Sequence, residues 1–311
     1  MKPHVAQKRS RKPPSERRRR DDEPRRQERP RPPDKNPLPQ PEQSVSEQRL
    51  YGLTPVVEAL RAGARSVEHI IIAEGAQIHR LHELLDLARK LNVPVRRAAR
   101  AEFARIVGEG INHQGVMASV AAARYTDADE LLDALSARVG TTDPPLAVVL
   151  DGVEDPRNLG AIIRTVECAG AHGVFIPERR AVGLTETVAK AAAGALEYVK
   201  VARATNLARL VEELKRRNIW TVGTSGEAEM EYTDWDYTQP TALLFGGEGE
   251  GLHRLVRERC DVLVRIPLQG ATESLNVSVT AGIILYEALR QRAAAQKHSQ
   301  EETPRAPNVD G

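Results

Sequence analysis

The chain has 311 residues, a formal charge of +2 and 41% hydrophobic residues, which leaves room for two domains of ordinary size. No stretch approaches the roughly 18 consecutive apolar residues of a membrane span, and the basic N-terminus lacks the apolar segment of a secretory signal. The two cysteines, Cys168 and Cys260, show no CxxC spacing, which argues against a zinc site or a disulfide framework. We therefore expect a cytoplasmic protein with no metal site and no membrane partner.

The formal charge hides an uneven distribution along the chain. Residues 1–43 hold 14 Lys and Arg against 7 Asp and Glu, whereas the remainder holds 31 basic against 36 acidic residues. Ten of the 20 prolines also lie in residues 1–43, and such a segment buries too little apolar surface to offset its conformational entropy. We expect a disordered basic tail over residues 1–45. Its run Arg17–Arg20 favours phosphate backbones, and a solubilising tail without a specific partner is an equal alternative.

Residues 46–121 alternate helices with short strands, the pattern of a small α/β unit. The first helix is predicted after Tyr51, with Thr54 as its N-cap and Pro55 at its first position. The further elements are a strand at Val67–Ile72, a helix at Ile78–Lys90, a strand at Pro94–Arg97, a helix at Ala101–Val107 and a strand at His113–Val120.

Residues 122–145 are interpreted as a linker that contains one helix, Ala128–Val139, and a second domain follows over residues 146–294. Asp155 and Pro156 indicate a helix N-terminus, and the apolar residues after them recur at helical spacing, so this helix lays one face on a sheet. Strands are predicted at Leu146–Leu150, Gly173–Pro177, Ile219–Gly223, Thr241–Phe245 and Val262–Ile266, and helices at Thr185–Ala193, Asn206–Arg217 and Val277–Arg292.

This pattern predicts an α/β fold with a mostly parallel sheet covered on both sides. Residues 295–311 are polar and are expected to form a flexible tail.

The strand Leu243–Phe245 runs into a glycine-rich turn that contains Glu248 and Glu250. Glycines let a ligand approach the backbone closely, and ligands of open α/β sheets bind outside the carboxyl ends of the strands. No lysine follows as in a phosphate-binding loop, and the spacing is not GxGxxG, so a nucleotide site is disfavoured. A tight turn before a helix near Leu252 is an equal interpretation.

Two further clusters follow strands. Asn158 and Arg164 lie on the helix after Asp155, where a helix-start amide and a solvated arginine are the simpler interpretations. A loop from Ile266 leads to Ser274-Leu275-Asn276-Val277-Ser278, where Ser274 or Asn276 is an expected N-cap.

Taken in order, the three clusters resemble the three motifs of the SpoU (TrmH) family of RNA 2′-O-ribose methyltransferases, in the SPOUT superfamily. The resemblance covers residues 47 to 292. The front domain, with Tyr51–Leu60 and His113–Val116, is similar to the L30e-like substrate-binding domain of part of that family.

The resemblance implies a deep trefoil knot, a homodimer and S-adenosyl-L-methionine as cofactor, and structured RNA as partner. It further implies methylation of a guanosine 2′-hydroxyl in 23S rRNA or an assembling large subunit. The cofactor-binding residues that it implies are Thr224, Ser225, Gly226, Phe245, Gly246, Gly247, Ile266, Leu268, Gln269, Ser274, Leu275 and Ser278.

The residues that the resemblance places in catalysis are Arg164, Asn158, Glu248, Ser274 and Asn276. Arg164 would act at the 2′-hydroxyl, and binding of the adjacent phosphate is physically easier for a guanidinium than service as a base. Glu248 would orient either Asn158 or Arg164. Glu273 stands where relatives often have a small hydroxyl residue, which affects fine specificity.

Three alternatives remain open at this point. A tRNA 2′-O-methyltransferase of the same family is disfavoured by the front domain. A ribosome-assembly protein without catalysis is disfavoured by the intact motif residues. A Rossmann dinucleotide enzyme lacks its glycine fingerprint after the first strand.

Overall fold

The computed structural model describes residues 47–76, 81–108 and 113–301, with side chains as far as His298. All of these residues lie in one compact unit. Three expectations fall wholly or partly outside the described residues, namely the disordered tail over residues 1–45, the first turn of the helix predicted from Ile78, and residues 302–311 of the flexible tail predicted over residues 295–311. Within the described ranges, no helix is long and apolar enough to cross a membrane.

The front domain consists, in its described part, of a four-stranded sheet and three helices. Its elements are β1 (Glu47–Tyr51), α1 (Leu53–Ala62), β2 (Val67–Ala73), α2 (His82–Lys90), β3 (Val95–Ala98), α3 (Arg100–Val107) and β4 (Val116–Ala121). The strand order is β1-β4-β2-β3. Strand β4 is antiparallel to β1 and β2, and β2 is parallel to β3.

Side chains of β2 alternate between the two faces of this sheet, as a pleated strand requires. Ile70 and Ile72 pack with helices α1 and α2, whereas Ile71 packs with Phe103 of α3. Helices therefore cover both faces of the front sheet.

The start of α1 corrects two predictions. The helix begins at Leu53, so Thr54 is not its N-cap and Pro55 is its third residue rather than its first. Gly52 precedes the helix with φ +100°, and the N–H of Leu53 donates to Oε1 of Gln114 at 3.3 Å. A partner 61 residues away replaces the local cap, and local spacing cannot reveal it.

Two strand boundaries also differ from the prediction. Strand β1 was not predicted, and it exists because all five of its residues pair with β4. Strand β4 begins at Val116 because His113–Gly115 forms a turn, in which the N–H of Gly115 donates to Nδ1 of His113 at 2.9 Å. Gln114 and Gly115 both have positive φ in that turn.

The second domain is built on a seven-stranded sheet. Its strands are β5 (Leu146–Asp151), β6 (Gly173–Pro177), β7 (Val201–Ala204), β8 (Trp220–Thr224), β9 (Met230–Glu231), β10 (Thr241–Gly246) and β11 (Val262–Arg265). The strand order is β7-β6-β5-β10-β8-β11-β9, and every pair is parallel. Strands β7 and β9 were not predicted, because four and two residues are too short for a readable alternation.

Helices cover both faces of this sheet, which confirms the predicted α/β fold. The helices are α4 (Ala128–Ser136), α5 (Pro156–Cys168), α6 (Glu186–Ala192), α7 (Leu207–Arg216), α8 (Arg254–Arg259) and α9 (Val277–Glu301), with a 3-10 turn at Ala195–Glu197. One core joins Leu150 to α5, α6 and α9, and the other joins Val149 to α4, α7 and α8.

Three local features refine the prediction for the second domain. The carboxylate of Asp155 accepts the N–H of Arg157 at 2.7 Å, and Pro156 is the first helical residue of α5, as predicted. Helix α4, from the segment interpreted as a linker, buries Leu131 and Leu135 in the second core. Helix α9 continues past the predicted end at Arg292 to Glu301, so residues 295–301 are helical and do not belong to the predicted flexible tail.

Polar contacts fix the front domain to the second domain, and they range from a buried ion pair to an exposed hydrogen bond of Tyr198. The guanidinium of Arg65 and the carboxylate of Glu197 form a bidentate ion pair, with 6% and 1% of their side chains exposed. Gln48 donates to the carbonyl of Leu184 at 2.7 Å, and the hydroxyl of Tyr198 donates to Glu58 at 2.6 Å.

Candidate active site

A cleft of about 560 Å³ opens at the carboxyl ends of β8, β10 and β11. It is lined by Thr224–Glu227, Phe245–Leu252, Arg257, Val264–Ile266, Leu268, Glu273–Val277, Thr280 and Ile284. Every residue expected to bind cofactor lines this cleft except Gln269 and Ser278. The volume is typical of a small-molecule site.

Close backbone contacts explain why glycines follow β10. A Cβ atom on Gly246 would lie 1.9 Å from the carbonyl carbon of Gly251, and one on Gly247 would lie 2.3 Å from the carbonyl oxygen of Gly152. Both positions therefore exclude any side chain. The absence of side chains leaves main-chain atoms as the wall of the cleft.

Asp151 anchors both ends of the glycine-rich turn, a role that sequence reasoning missed. Its backbone oxygen accepts the N–H of Gly247 at 2.7 Å, and its buried carboxylate accepts the N–H of His253 at 2.8 Å. The second carboxylate oxygen lies 2.8 Å from Nδ1 of the His253 ring. A carboxylate that ends an otherwise apolar strand was the available signal.

A chain of hydrogen bonds joins the three sequence clusters. Nδ2 of Asn158, on α5, donates to the carboxylate of Glu248 in the glycine-rich turn. Oδ1 of Asn158 accepts from Nδ2 of Asn276 at 3.1 Å. Oδ1 of Asn276 in turn accepts the N–H of Ser278 at 2.9 Å and its hydroxyl at 2.6 Å.

This chain decides two questions that the sequence left open. Glu248 contacts Asn158 rather than Arg164, and Asn276 rather than Ser274 caps helix α9. Asn158 is 7% exposed, so its amide is held between the two loops rather than in solvent.

Arg164 lies on the exposed face of α5, outside the hydrogen-bond chain and the cleft lining. No described residue hydrogen-bonds or ion-pairs with its guanidinium. The structure therefore brings Asn158, Glu248, Asn276 and Ser278 together, places Ser274 in the cleft wall, and leaves Arg164 at the surface of α5.

Family models match both domains of the chain. The model described as the SpoU rRNA Methylase family matches residues 145–286, and the model described as RNA 2'-O ribose methyltransferase substrate binding matches residues 49–126. The 23S rRNA (guanosine-2'-O-)-methyltransferase RlmB of Pseudomonas syringae is 45% identical over 80% of this chain and 98% of its own length. The chain belongs to the SpoU family of RNA methyltransferases.

Further relatives of the SpoU family agree with this assignment. RlmB of Ralstonia nicotianae is 44% identical over 78% of this chain and 96% of its own length. Among solved structures, the SpoU methyltransferase AviRb from Streptomyces viridochromogenes, in complex with AdoMet, has a TM-score of 0.65. That structure is 27% identical and covers 80% of this chain and 91% of its own.

Acidic side chains dominate the charges around the cleft of this SpoU protein. The lining contains the carboxylates of Glu227, Glu248, Glu250 and Glu273 and the guanidinium groups of Arg257 and Arg265. Arg257 pairs with Glu227 at 3.3 Å, and Arg265 lies 3.7 Å from Glu231 outside the lining. An excess of carboxylates favours a cationic ligand over a polyphosphate.

Proposed function

We propose that this chain transfers the methyl group of S-adenosyl-L-methionine to the 2′-hydroxyl of a guanosine in 23S rRNA. The hydrogen-bond chain Glu248–Asn158–Asn276 carries the proposal, because it fixes one face of a catalytic helix against a backbone-lined cleft. The relatives named RlmB support guanosine in 23S rRNA as the target.

The residues of the cleft fit this cofactor. Ile266, Leu268 and Leu275 offer an apolar surface for an adenine ring, and the main chain of Thr224–Gly226 offers hydrogen-bonding groups. The carboxylates of the lining suit a positive charge without phosphate. When bound, the cofactor supplies an electrophilic methyl group on a sulfonium ion.

The proposed work of this chain is to align the ribose and to draw charge from its hydroxyl. Arg164 is the residue that touches substrate, since its guanidinium has no protein partner among the described residues and suits a phosphate beside a polarised 2′-hydroxyl. Asn158, Asn276 and Glu248 hold α5 and the two loops in register, and Ser274 shapes the ribose end of the cleft. Alignment of this kind supplies much of the rate of an in-line displacement.

We also propose that the second domain contains a trefoil knot and that the front domain is an L30e-like unit that grips structured RNA. Support for the knot is the strand order, in which the chain makes β8, returns to place β10 between β5 and β8, and crosses out again to β11. The substrate-binding family model supports the role of the front domain. A crystal structure that traces residues 220–276 tests the knot directly.

A homodimer is proposed through the exposed face of α9. Val279, Tyr286 and Leu289 expose apolar surface along one side of this helix, beside the active-site loop. Light scattering after gel filtration should give twice the chain mass, and Tyr286→Glu should give a monomer. A monomeric wild-type protein would refute the dimer.

We place the enzyme in the cytoplasm, where rRNA is made.

The test of the function is a map of 2′-O-methyl groups on rRNA and tRNA from cells with and without the protein. We expect one 23S rRNA guanosine to lose its methyl group, and loss at a tRNA site or no loss would refute the proposal. In vitro, Arg164→Ala should abolish methyl transfer while cofactor affinity persists. Undiminished ribose methylation by this variant would refute the role of Arg164.

A further inference from the structure

Arg203, on the outermost strand of the sheet, has no carboxylate partner in the part of the chain that the structure describes. Its guanidinium carbon lies 3.9 Å from the centroid of the Tyr125 ring, and Nη2 donates to the Tyr125 hydroxyl at 2.9 Å. No other described residue hydrogen-bonds or ion-pairs with this side chain. A planar guanidinium fixed by stacking and still uncompensated is suited to a phosphate.

The loop of residues 178–184 carries two more arginines and begins beside Arg203, since the N–H of Glu178 donates to the carbonyl of Ala204 at 3.0 Å. Arg179 and Arg180 are exposed and have no hydrogen bond or ion pair with a described residue. The same loop crosses the stacked pair at Gly183, where a Cβ atom would lie 3.2 Å from the Tyr125 hydroxyl oxygen and 3.4 Å from Nη2 of Arg203. Arg180 has φ +57°, a left-handed conformation that the loop imposes on its backbone.

This loop lies between the front domain and the candidate active site. The N–H of Val182 donates to the carbonyl of Val153 at 3.3 Å, three residues before the start of α5. On its other side, the carbonyl of Leu184 accepts from Gln48 of the front domain at 2.7 Å. A polymer that spans both domains would pass over the loop.

Nearby carboxylates do not neutralise these arginines. Glu186 is already occupied by the N–H of Arg49 at 3.0 Å and the Tyr51 hydroxyl at 3.5 Å. Glu178, at the start of the loop, makes no ion pair with a described residue. Three arginines therefore outnumber the exposed carboxylates next to the loop, Glu178 and Glu154, which make no ion pair with a described residue.

We propose that Arg179, Arg180 and Arg203, the seam patch, bind the phosphate backbone of an RNA strand that runs from the front domain to the active site. The inference rests on the proposed function, since it assumes that RNA is the substrate. Phosphate contacts of this kind position the strand and carry no sequence information. The seam patch thus sets the register of the substrate relative to Arg164.

The test compares two double variants in the full chain. Arg180→Gln with Arg203→Gln removes two of the three charges of the seam patch, and Arg209→Gln with Arg216→Gln removes the same number of charges from α7, on the opposite face of the sheet. Filter binding uses purified total rRNA without cofactor at 50 to 300 mM salt. We expect the first variant to bind roughly tenfold more weakly at 0.1 M salt, with a salt slope smaller by about 1 to 2.

A second variant guards against loss of folding. Arg180→Gly removes the charge and also relaxes the left-handed backbone, so its melting temperature should equal or exceed that of the wild type while rRNA binding weakens. Cofactor affinity should stay unchanged in all three variants, as measured by calorimetry.

The outcomes separate this inference from the proposed function. Binding is measured without methyl transfer, so weaker binding by the seam variants alone supports the patch even if the wild type methylates no 23S rRNA. Equal rRNA affinity and an equal salt slope in the seam and α7 variants would overturn the proposal that the seam patch binds RNA. The same result would be expected if the patch bound an acidic protein instead. It would leave the proposed methyl transfer by the wild type untouched.

Discussion

Asn158 accepts a hydrogen bond from Asn276 at 3.1 Å and donates one to Glu248. A single buried amide on α5 therefore joins this helix to two loops that lie 90 and 118 residues further along the chain. An amide can do this because it offers a donor and an acceptor at once. A carboxylate or a hydrocarbon of similar size cannot satisfy both partners.

Asn158→Asp should therefore impair catalysis far more than binding. The new carboxylate would face Glu248 without a proton to donate, and repulsion between like charges would displace the loops. A misplacement of about 1 Å costs roughly 100-fold in rate, so we expect a loss of that order in kcat. Cofactor affinity should fall less than kcat, because Asn158 itself does not line the cleft, although the two loops that it holds do.

Asn206→Asp is the matched control for that substitution. Asn206 caps α7 by accepting the N–H of Arg209 at 3.0 Å, which a carboxylate does equally well. Its kcat and melting temperature should match those of the wild type. Wild-type kcat in the Asn158→Asp protein would show that the amide bridge has no role in the reaction.

Gly246→Ala should weaken cofactor binding. The added methyl group would lie 1.9 Å from the carbonyl carbon of Gly251, so the turn that walls the cleft must move. Overpacking of this kind costs about 1–3 kcal/mol, which corresponds to roughly a 10- to 100-fold loss of affinity. Calorimetric titration with S-adenosyl-L-methionine measures the loss.

Gly270→Ala provides the comparison for this experiment. Gly270 lies outside the cleft lining, and no atom lies within 4 Å of its added Cβ. Its affinity for the cofactor should equal that of the wild type. Wild-type cofactor affinity in the Gly246→Ala protein would mean that the turn accommodates the methyl group without displacing the main-chain atoms that line the cleft.

The sequence predicted much of the second domain because its strands are apolar runs that end at glycine, proline or polar residues. Leu146–Leu150 and Thr241–Phe245 differ from the observed strands only at their carboxyl ends. The turn after β10 was interpreted as a ligand edge from its glycines and its place at the end of a strand, with a plain tight turn as an equal alternative. The resemblance to the SpoU family supplied the roles of the individual residues.

The features that the sequence did not predict depend on distant partners. The N–H of Leu53 is satisfied by Gln114, and β1 is fixed by its pairing with β4, so neither has a local signal. Glu248 hydrogen-bonds Asn158 and not Arg164 because of the way α5 is oriented relative to the glycine-rich turn. Such choices are made by packing, which a spacing pattern does not contain.

The ion pair between Arg65 and Glu197 gives a prediction on the joining of the two domains. Arg65→Met would leave the Glu197 carboxylate buried without a counter-ion, and breaking a buried pair in this way costs about 3–5 kcal/mol. The free energy of unfolding, measured in urea, should fall by about 3 kcal/mol or more.

Two further variants make this prediction sharp. Adding Glu197→Leu to Arg65→Met removes the lone charge, so most of the lost stability should return. Arg61→Met removes an arginine whose ion pairs with Glu58 and Glu83 are exposed, and it should leave the unfolding free energy unchanged. A double variant less stable than Arg65→Met would contradict the role of the buried charge.

His172 makes the stability of the fold depend on pH in mildly acidic solution. Its Nδ1 accepts the N–H of Leu146 at 2.9 Å, and its Nε2 lies 3.3 Å from Asp143. Burial of the ring, with a smaller effect of Arg138, lowers the pKa of His172 below its ordinary value of 6.5. The neutral ring is the form that can accept the N–H of Leu146, and protonation would break that bond.

Because the pKa of His172 is lowered in the folded state, the unfolded chain binds more protons than the folded chain as the pH falls below 6.5. The contribution of the neutral ring to stability is therefore complete above pH 6.5 and is lost as the pH falls through the folded pKa. The free energy of unfolding, measured in urea between pH 7.5 and 5.5, should therefore decrease toward the acid end. His172→Asn keeps an acceptor for the N–H of Leu146 and cannot titrate, so its decrease over the same range should be smaller. Parallel pH profiles for the two proteins would refute the assignment of this acid sensitivity to His172.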